Sequence, residues 1–343
     1  MSTARRLFFF GLALTTAAVG SLSAGNVPSP TFTHDLYLCV NLSGETGIMG
    51  RSGGSKSGLY RSSDRETFEH IGPEHIRMYT LTSDPRERST LYVAALDGVL
   101  RTRDGGRSWR ILTSWDMTEP RSIAVDERAP DHLYAGLPDG IAVSRDRGAT
   151  WQRMNDGIRR TFTQTMTVDR TRAGRVLAGT EKGIFLSEDA ARSWTLVRAT
   201  EETTYDLRQS PHDAIHFLAV TARDGALASR DAGRTWQTIA GLPVDRTLHN
   251  CDFDPHESGR LLVCGWGVGV MLSEDNGRTW VDRTGGLPKR EVWRAKFDPD
   301  IPGRIYAAPY LAPVQVSDDR GRTWRPLQFE KALVFDLAFV PRS

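Results

Sequence analysis

Short apolar runs of four or five residues recur along the chain, and clusters of Gly, Pro and Asp separate them. This pattern predicts β-strands rather than helices, because a helix needs a longer segment with apolar positions every three or four residues. The clearest runs resemble Leu-Tyr-Val-Ala-Ala, and they lie at residues 91–95, 133–136, 176–179, 261–264 and 305–308. The chain is therefore predicted to be all-β.

One motif recurs between these strands. The pattern Ser/Thr-x-Asp-x-Gly-x-Ser/Thr-Trp lies at residues 102–109, 144–151, 187–194, 229–236, 273–280 and 317–324, and a decayed copy lies at 62–68. The aspartates of successive copies are 40 to 44 residues apart, a spacing typical of four-stranded propeller blades. Seven copies predict a single seven-bladed β-propeller of four-stranded blades.

The motif has a structural explanation. Asp and Ser/Thr side chains hydrogen-bond nearby backbone N–H groups and hold a hairpin turn. Gly supplies the positive φ that the turn needs, and the Trp ring packs into the blade. Ala191 stands where the other complete copies have Gly, so we expect strain in that turn. We interpret the seven boxes as architecture and not as ligand sites.

The two ends of the repeat region complement each other. Before the first box there is only one clear strand, at residues 36–40, which precedes the segment 58–61, and residues 334–340 form an additional strand after the last box. We expect this C-terminal strand to pair into the N-terminal blade and close the ring. Closure of this kind protects the edges of the sheets.

The boxes closely resemble those of the BNR/Asp-box repeat superfamily, and the resemblance covers residues 35–343. The superfamily includes sialidases, xyloglucan-active hydrolases, sortilin-type sorting receptors and photosystem II assembly-factor-like proteins. Because one fold hosts several functions, the resemblance implies the fold more strongly than the activity.

Departures from each group's pattern narrow the choice. Sialidases have six blades and an Arg-Ile-Pro motif, although Arg121, Arg294 and Tyr205 keep a sialidase-like site open here. The xyloglucan enzymes place their acids between two propellers, and sortilin-type receptors have ten blades with disulfide-rich modules. A single seven-bladed ring is most similar to the assembly-factor-like group. That similarity implies a non-catalytic protein binder with an arginine-rich face.

A candidate site emerges when the seven innermost strands are aligned on the position that ends them, usually Asp-Pro. One and three residues before that position, most side chains are apolar and are predicted to be core. Five residues before it, on what we expect to be the same face, lie Tyr79, Arg121, Gln164, Tyr205, His249, Trp293 and Phe335. The following position adds Asp206, Arg294 and Asp336 to the predicted ligand-binding set. Such a varied aromatic and polar ring is typical of a binding funnel; alternatively, these side chains cap the channel and pair with one another.

Two other features belong to the same face. Loop residues Arg77, Arg160, Arg246 and Arg290 form a rim suited to carboxylates, phosphates or acidic peptide segments. The Gly- and Ser-rich insertion at residues 41–57 joins two strands of the first blade. Its composition is typical of a mobile lid or a partner-contacting loop, and equally of a surface loop without function.

Catalytic motifs are scarce. The chain has no His-Glu-x-x-His or Cys-x-x-Cys motif, which disfavours a catalytic zinc site. The Gly-x-Ser-x-Gly pattern at residues 50–54 lacks the strand–turn–helix context of a nucleophile elbow. A glycosidase needs two suitably spaced acids, and the candidates near the funnel are Glu119, Glu201, Glu202, Asp206, Asp245, Glu291 and Asp336.

We therefore favour a non-catalytic binding scaffold that holds a protein partner or an anionic ligand on the funnel face. The alternative is a glycoside hydrolase or carbohydrate-binding protein that uses the same face. Positive and negative charges nearly balance, with a net charge of +2, so no attraction to nucleic acid is implied. We expect no nucleic-acid partner, no membrane span, no cofactor, no metal and a monomeric state.

The N-terminus is typical of a signal peptide at residues 1–25, with the propeller over residues 26–343. Arg5 and Arg6 precede an uncharged, mostly apolar stretch up to Gly20, and small residues follow. Secretion or a periplasmic location is the expectation, by the general or the twin-arginine route, and a buried apolar strand is the alternative.

Cys251 and Cys264 lie on two segments joined by a short turn. An antiparallel hairpin would place the two cysteines nearly opposite each other, as a disulfide requires. The alternative is that both are small buried apolar residues.

Overall fold

The computed structural model describes residues 31–42, 57–159 and 161–342. The signal peptide predicted at residues 1–25, Arg160, and the 41–57 insertion apart from its ends lie outside the described residues. Within the described ranges every regular element is a strand, and no helix there is long and apolar enough to cross a membrane.

The described strands form seven antiparallel sheets of four strands each, arranged as blades around a common axis. The predicted seven-bladed β-propeller is confirmed. Each chain segment runs from the innermost strand of a blade to its outermost strand and then enters the next blade. Blade 1 is the exception, because its innermost strand comes from the C-terminal end of the described chain.

From the axis outward, blade 1 consists of β28 (Ala332–Pro341), β1 (His34–Leu42), β2 (Gly58–Ser62) and β3 (Glu69–Ile71). Blade 2 consists of β4 (Met78–Ser83), β5 (Leu91–Ala95), β6 (Gly98–Thr102) and β7 (Arg110–Ile111). Blade 3 consists of β8 (Ser122–Val125), β9 (Leu133–Leu137), β10 (Gly140–Ser144) and β11 (Gln152–Arg153). Blade 4 consists of β12 (Thr163–Val168), β13 (Val176–Thr180), β14 (Gly183–Ser187) and β15 (Thr195–Ala199).

Blade 5 consists of β16 (Thr204–Gln209), β17 (Phe217–Thr221), β18 (Ala226–Ser229) and β19 (Gln237–Thr238). Blade 6 consists of β20 (Leu248–Phe253), β21 (Leu261–Gly265), β22 (Gly269–Ser273) and β23 (Val281–Asp282). Blade 7 consists of β24 (Val292–Phe297), β25 (Ile305–Pro309), β26 (Gln315–Ser317) and β27 (Arg325–Pro326).

Burial explains why the second strand of each blade was the easiest to recognise. Every residue of β5, β9, β13, β17, β21 and β25 is buried. Each of these strands packs on neighbouring blades through both of its faces, so its sequence is apolar throughout and does not alternate. The outermost strands are short, and β7, β19, β23 and β27 are exposed along their length.

The Asp boxes form the predicted turns between the third and fourth strands. In the box of blade 6, the backbone N–H of Gly277 donates to Ser273 Oγ at 2.8 Å, and Ser273 Oγ donates to Asp275 Oδ1 at 2.8 Å. The N–H and hydroxyl of Thr279 donate to Asp275 at 2.8 and 2.6 Å. These bonds lower the pKa of Asp275 to about 2. Ala191 has a φ of 65°, so the strain expected at that position is present.

The ring closes as predicted. β28 pairs antiparallel with β1, from His34 opposite Pro341 to Leu42 opposite Ala332. A buried ion network joins blade 1 to blade 7 beside this seam. Arg65 Nε lies 3.0 Å from Asp298 Oδ2, and Arg65 Nη2 lies 2.8 Å from Asp300 Oδ2.

Cys251 and Cys264 are both free, so the disulfide considered above is absent. The register pairs Cys251 with Val263 and Cys264 with Asn250. Because neighbouring residues of a strand point to opposite faces, the two thiols lie on opposite sides of blade 6. Cys251 packs towards blade 5 and Cys264 towards blade 7. The alternative, two small buried apolar residues, is the one observed.

The innermost strands contain a β-bulge near their entrance ends, and this corrects one expectation. Between Met78 and Thr80 the register with β5 shifts, so Tyr79 has no partner. Leu81 packs with Leu91 and Val93, whereas Tyr79 packs with Tyr92 and Ala94 on the other face of β5. The expectation that these positions share a face was wrong, because an extra residue in a strand reverses the alternation beyond it.

Candidate functional site

The predicted ring of site residues lies at the entrance ends of the innermost strands, on the face of the propeller opposite the Asp boxes. In six of the blades the ring residue is the unpaired residue of the bulge. These residues are Tyr79, Gln164, Tyr205, His249, Trp293 and Phe335. In blade 3, Arg121 immediately precedes β8, and its N–H donates to the carbonyl of Gly136 at 2.8 Å. Bulges re-aim side chains, so the ring has a shared structural origin.

Most of this ring forms a continuous aromatic arc. The Tyr205 and His249 rings meet edge to face at 5.0 Å, and His249 stacks on Trp293 with centroids 4.1 Å apart. Trp293 contacts Phe335 at 6.4 Å, and Phe335 contacts Tyr79 at 5.4 Å. These edge-to-face and stacked geometries are the favourable ones for aromatic pairs. The described ring contacts do not include Gln164, which is half-buried.

Arginine extends the arc into blades 3 and 4. The Arg121 guanidinium lies 4.5 Å from the centre of the Tyr79 ring and 5.7 Å from that of Phe162. Arg121 Nη2 is 3.3 Å from Glu119 Oε2. On the rim, Arg77 lies 6.0 Å from the Phe335 ring. Arg121 and the rim residue Arg77 are therefore engaged with aromatic faces, a placement that suits the planar guanidinium.

The other rim arginines hold loops. Arg290 Nη2 contacts Asp282 Oδ2 at 2.8 Å and the carbonyl of Val268 at 3.1 Å. Arg246 Nη1 lies 3.5 Å from the carbonyl of Gly267. Arg160, the fourth predicted rim arginine, lies outside the described residues.

Sequence reasoning missed three aromatic residues of the site. Trp266 and Tyr310 lie in the turns between the second and third strands of blades 6 and 7, and their rings meet at 5.2 Å. Trp266 also contacts His249 and Trp293, each at 6.4 Å, and 44% of its surface is exposed. Phe162 is the third. The sequence offered one signal for Trp266 and Tyr310. Each is an aromatic residue in a turn between the second and third strands, where blades 2 to 4 have Asp or Lys before Gly.

A cleft of about 330 Å³ adjoins the exposed Trp266 at the rim. Arg223, Asp245, Arg246 and Thr247 line its other walls. The site therefore combines aromatic faces with nearby cations, which suits ligands that have both flat apolar surfaces and polar groups.

The second predicted ring holds neighbouring blades together. Asp206 Oδ2 accepts hydrogen bonds from Asn250 Nδ2 at 2.6 Å and from the Cys251 N–H at 3.2 Å. Asp336 Oδ2 accepts from the Leu81 N–H at 3.1 Å. Each carboxylate therefore accepts hydrogen bonds from the next blade. The assignment of Asp206 and Asp336 as ligand-binding residues stays a prediction.

Arg294 of blade 7 also forms hydrogen bonds with the two neighbouring blades. Its Nε donates to the carbonyl of Phe335 at 2.7 Å, and its Nη1 donates to the carbonyl of His249 at 3.0 Å. Burial and the positive charge of Arg294 lower the pKa of His249 to about 3. The imidazole is therefore neutral over the ordinary pH range, and it is buried within the aromatic arc, where it stacks on Trp293.

A third ring, which sequence reasoning did not single out, lies deeper in the channel. Its half-buried residues are Thr82, Ala124, Thr167, Arg208, Asp252, Lys296 and Ala338. The charged members come from the adjacent blades 5, 6 and 7. Burial raises the pKa of Asp252 to about 6, and burial together with the charge of Arg208 lowers the pKa of Lys296.

Four of the seven candidate catalytic acids have other partners. Glu119 pairs with Arg121, and Glu202 Oε1 lies 3.4 Å from Arg223 Nε. Asp206 and Asp336 accept hydrogen bonds from backbone N–H groups, as described above. In residues 31–42, 57–159 and 161–342, no group of three or more His, Cys, Asp or Glu side chains is placed to hold a metal ion.

Comparison with known proteins agrees with the architecture. Residues 139–265 match the Sortilin-Vps10 family model, described as sortilin, neurotensin receptor 3. No curated protein matches the chain significantly. This match covers 127 of the 343 residues, and it agrees with the observed seven-bladed propeller. The resemblance inferred from the seven boxes is therefore confirmed.

Solved structures with the same fold include both enzymes and a peptide-bound protein. An ancestral GH74 enzyme superposes with a TM-score of 0.61 at 15% identity, covering 76% of this chain and 38% of that one. YCF48 bound to D1 peptide superposes with a TM-score of 0.58 at 17% identity, covering 75% of this chain and 84% of that one. YCF48 from Cyanidioschyzon merolae superposes with a TM-score of 0.55 at 16% identity, covering 73% of this chain and 84% of that one. At these identities the likeness concerns the fold of this propeller, and the chain spans well under half of the GH74 enzyme.

Proposed function

We propose that this propeller is an exported binding scaffold that holds a segment of a protein partner against the aromatic arc. The observation that carries the proposal is the arc itself, from Tyr205 through His249, Trp293 and Phe335 to Tyr79. Bulges aim these side chains at the funnel, although they come from five separate blades. Aromatic residues in such a setting supply large contact area at low cost in conformational entropy.

The electrostatics of the funnel support binding over catalysis. General acid catalysis needs a carboxyl group placed to donate a proton to the substrate. Asp206 and Asp336 instead accept hydrogen bonds from neighbouring blades, and Glu119 pairs with Arg121. His249 is neutral and stacked on Trp293. One fold neighbour, YCF48, is bound to a peptide, which is consistent with this use of the face.

A carbohydrate ligand is the second candidate, and the exposed Trp266 favours it. Sugar rings present apolar faces that stack on exposed indoles, and Trp266 forms one wall of the rim cleft. A GH74 enzyme is also among the fold neighbours. A hydrolase would require two of the funnel carboxylates to act as an acid pair.

Panning a random peptide library on the full chain tests the proposal. We expect enriched peptides to bind the wild type and the Ile215→Ala variant, whose change removes an exposed apolar side chain from the Asp-box face. Binding should fall by roughly thirtyfold or more in Trp293→Ala, as for an aromatic hot spot. Enrichment that is insensitive to Trp293→Ala would contradict the proposed site.

A glycan array and a glycosidase screen separate the two candidates. We expect no turnover by the wild type. Hydrolysis of a glycoside that is abolished by Glu119→Gln or Glu202→Gln, in a variant that melts like the wild type, would overturn the scaffold proposal.

We also propose export, on the basis of the basic and apolar pattern of residues 1–25. Mass spectrometry of the mature N-terminus, after expression in the native host, tests this. Cleavage near residues 23–25 and recovery outside the cytoplasm are expected, and an intact N-terminus in the cytoplasm would refute it.

A further inference from the structure

On the Asp-box face, the interface between blades 1 and 2 differs from the interfaces on either side of it. In blades 1 and 3, the residue after the box aspartate is an arginine that reaches the preceding blade. It contacts the buried aspartate that follows the innermost strand there. Arg65 Nε lies 3.0 Å from Asp298 Oδ2, and Arg147 Nη2 lies 2.9 Å from Asp84 Oδ2. An arginine–aspartate pair therefore closes both of these interfaces.

Between blades 1 and 2, both members of this pair are replaced. Gly105 follows the box aspartate of blade 2, and Val340 of β28 occupies the position of the acid. The N–H of Gly105 donates to the carbonyl of Ser89, as the N–H of Arg147 donates to that of Asp131. A Cβ atom placed on Gly105 would meet no atom within 4 Å. The backbone of the box is therefore kept, and the space of the arginine side chain is open.

A cleft of about 440 Å³ lies in this gap, with Gly105 and Val340 in its wall. Its charged lining residues are Asp35, Arg61, Arg88 and Arg342. At its edge, the exposed Glu69 lies 3.5 Å from Arg61 Nη1. Three arginines thus face Asp35 and Glu69, so the charge of the cleft is positive even when both acids are ionised.

The donors of these arginines are only partly used. Arg61 Nε lies 3.0 Å from one oxygen of Asp35, and Arg342 Nε lies 2.7 Å from the other. This shared carboxylate holds two guanidinium groups side by side at the cleft. The half-buried Arg88 side chain has no hydrogen bond or ion pair with the described parts of the chain. The Arg88 guanidinium therefore remains available to a ligand.

Tyr37 adds a neutral donor to the cleft. The residue is only 5% exposed and lines the cleft wall. Its hydroxyl has no hydrogen-bond partner within the described ranges. Burial raises the pKa of Tyr37 to about 12, so the hydroxyl keeps its proton. Polar groups of buried residues are normally hydrogen-bonded, and an oxygen atom of a ligand in the cleft would accept this proton.

We propose that the cleft between blades 1 and 2 binds a phosphate or sulfate group through Arg88, Arg61 and Arg342. Guanidinium groups match the oxygens of such anions, and charge-assisted hydrogen bonds of this kind are strong. The bound group links β2 and β28 of blade 1 to the turn between β4 and β5 of blade 2. It thus supplies the contact between blades that an arginine–aspartate pair supplies on either side. This site lies on the face opposite the aromatic arc and does not depend on the proposed function.

Isothermal titration calorimetry of the full chain with inorganic phosphate and with sulfate, at constant ionic strength in chloride, tests the site. We expect saturable binding by the wild type. The Kd should increase by roughly tenfold or more in Arg88→Gln. Titration with phosphoserine separates two sources of the anion. Binding at least as tight as that of phosphate supports a phosphorylated partner, and binding of the inorganic ion alone supports a free anion.

Substitutions of Gly105 test the same cleft from its other wall. Gly105→Glu places a carboxylate beside the arginines, so it should increase the Kd for phosphate by roughly tenfold or more. Gly105→Ala is the matched control and should bind like the wild type. Blades 4 and 5 have Ala190 and Ala232 at this position of the box with φ values of 59° and 60°, so the turn accepts a Cβ atom.

Arg278→Gln is a second control, because it removes an exposed arginine from the box of blade 6 on the same face. It should bind phosphate like the wild type. A wild type that binds neither anion would overturn the proposal, as would equal affinity in the wild type, Arg88→Gln and Gly105→Glu. Melting temperatures close to that of the wild type establish that the variants are folded. Loss of the anion site leaves the peptide panning result unaffected, because the two sites lie on opposite faces.

Discussion

The two faces of the propeller use the same scaffold in opposite ways. On one face, the Asp-box turn repeats with nearly the same hydrogen bonds in each blade, as at Ser144–Asp146 and Ser317–Asp319. On the other face, the ends of the innermost strands share a bulge but present a different side chain in almost every blade. Repetition on one face maintains the ring, and variation on the other allows a specific ligand surface.

The comparison teaches where substitutions should affect stability and where they should affect recognition. Residues of the Asp-box face are held by local or inter-blade hydrogen bonds, so their loss should lower the free energy of unfolding. Of the funnel aromatics, Tyr205, Trp293 and Phe335 are half-buried and Trp266 is exposed, so truncating them should alter binding more than folding, whereas Tyr79 and His249 are buried. The following predictions test this division, from the largest expected effect to the smallest.

Arg65→Ala should cause the largest loss of stability. Arg65 is 1% exposed and bonds Asp298, Asp300 and the carbonyl of His34. Removing one partner from a buried ion network typically costs about 3–5 kcal/mol, because the remaining charges lose their compensation. Chemical denaturation measures the loss.

The control for this prediction is Arg325→Ala. Its ion pair with Glu66, at 2.7 Å, is solvent-exposed on both sides, so the cost should be about 0–1 kcal/mol. Both ion pairs join blades 7 and 1 and differ in burial, so similar losses in the two variants would contradict the argument that burial makes the Arg65 network important.

His249, which lies on the funnel face, should lower the free energy of unfolding as the solution becomes acidic. Its folded pKa, about 3, lies below that of an unfolded histidine. As the pH falls below about 6.5, His249 binds a proton in the unfolded chain but stays neutral in the folded chain. The free energy of unfolding therefore decreases. Between pH 6.5 and 4.5 this amounts to about 2 kcal/mol.

Denaturation of His249→Gln over the same pH range checks the prediction. The variant should show a shallower decline than the wild type, whereas His75→Gln, at an exposed position, should not. Parallel pH profiles for the wild type and His249→Gln would contradict the proposed neutral imidazole.

Ser273→Ala should have a moderate effect. The Ser273 hydroxyl is buried and accepts the N–H of Gly277 while donating to Asp275. Leaving a buried N–H without its acceptor costs about 1–3 kcal/mol. Thr195→Ala, at an exposed strand position, serves as the control and should change the melting temperature little. An equally small shift for Ser273→Ala would argue that the box turn is held by its backbone alone.

Ala191→Gly should be the smallest effect and the one with the opposite sign. Ala191 adopts a φ of 65°, which costs roughly 1–2 kcal/mol for a residue with a Cβ atom. Relief of this strain, offset by the loss of a buried methyl group worth about 0.8 kcal/mol, should leave the variant as stable as the wild type or slightly more stable. A clear drop in melting temperature would show that the methyl group matters more than the backbone.

The sequence by itself determined the number of blades, the box turns and the closure of the ring. These features follow from local chemistry, since each box contains its own hydrogen-bond donors and acceptors. The candidate ring could also be located by counting back from the end of each innermost strand, because the repeat supplies a common reference position. Tyr79, His249 and Trp293 were found in this way.

Only the tertiary structure decided how those residues are oriented and used. The bulges reverse the alternation of the strands, so the face predicted for the ring was wrong, and the register of blade 6 separates Cys251 from Cys264. Asp206 and Asp336 accept hydrogen bonds from residues 45 and 255 positions away in the chain. Trp266 joins the arc through contacts with other blades. Such contacts depend on how blades meet around the axis, and no local pattern of apolar and polar residues encodes that geometry.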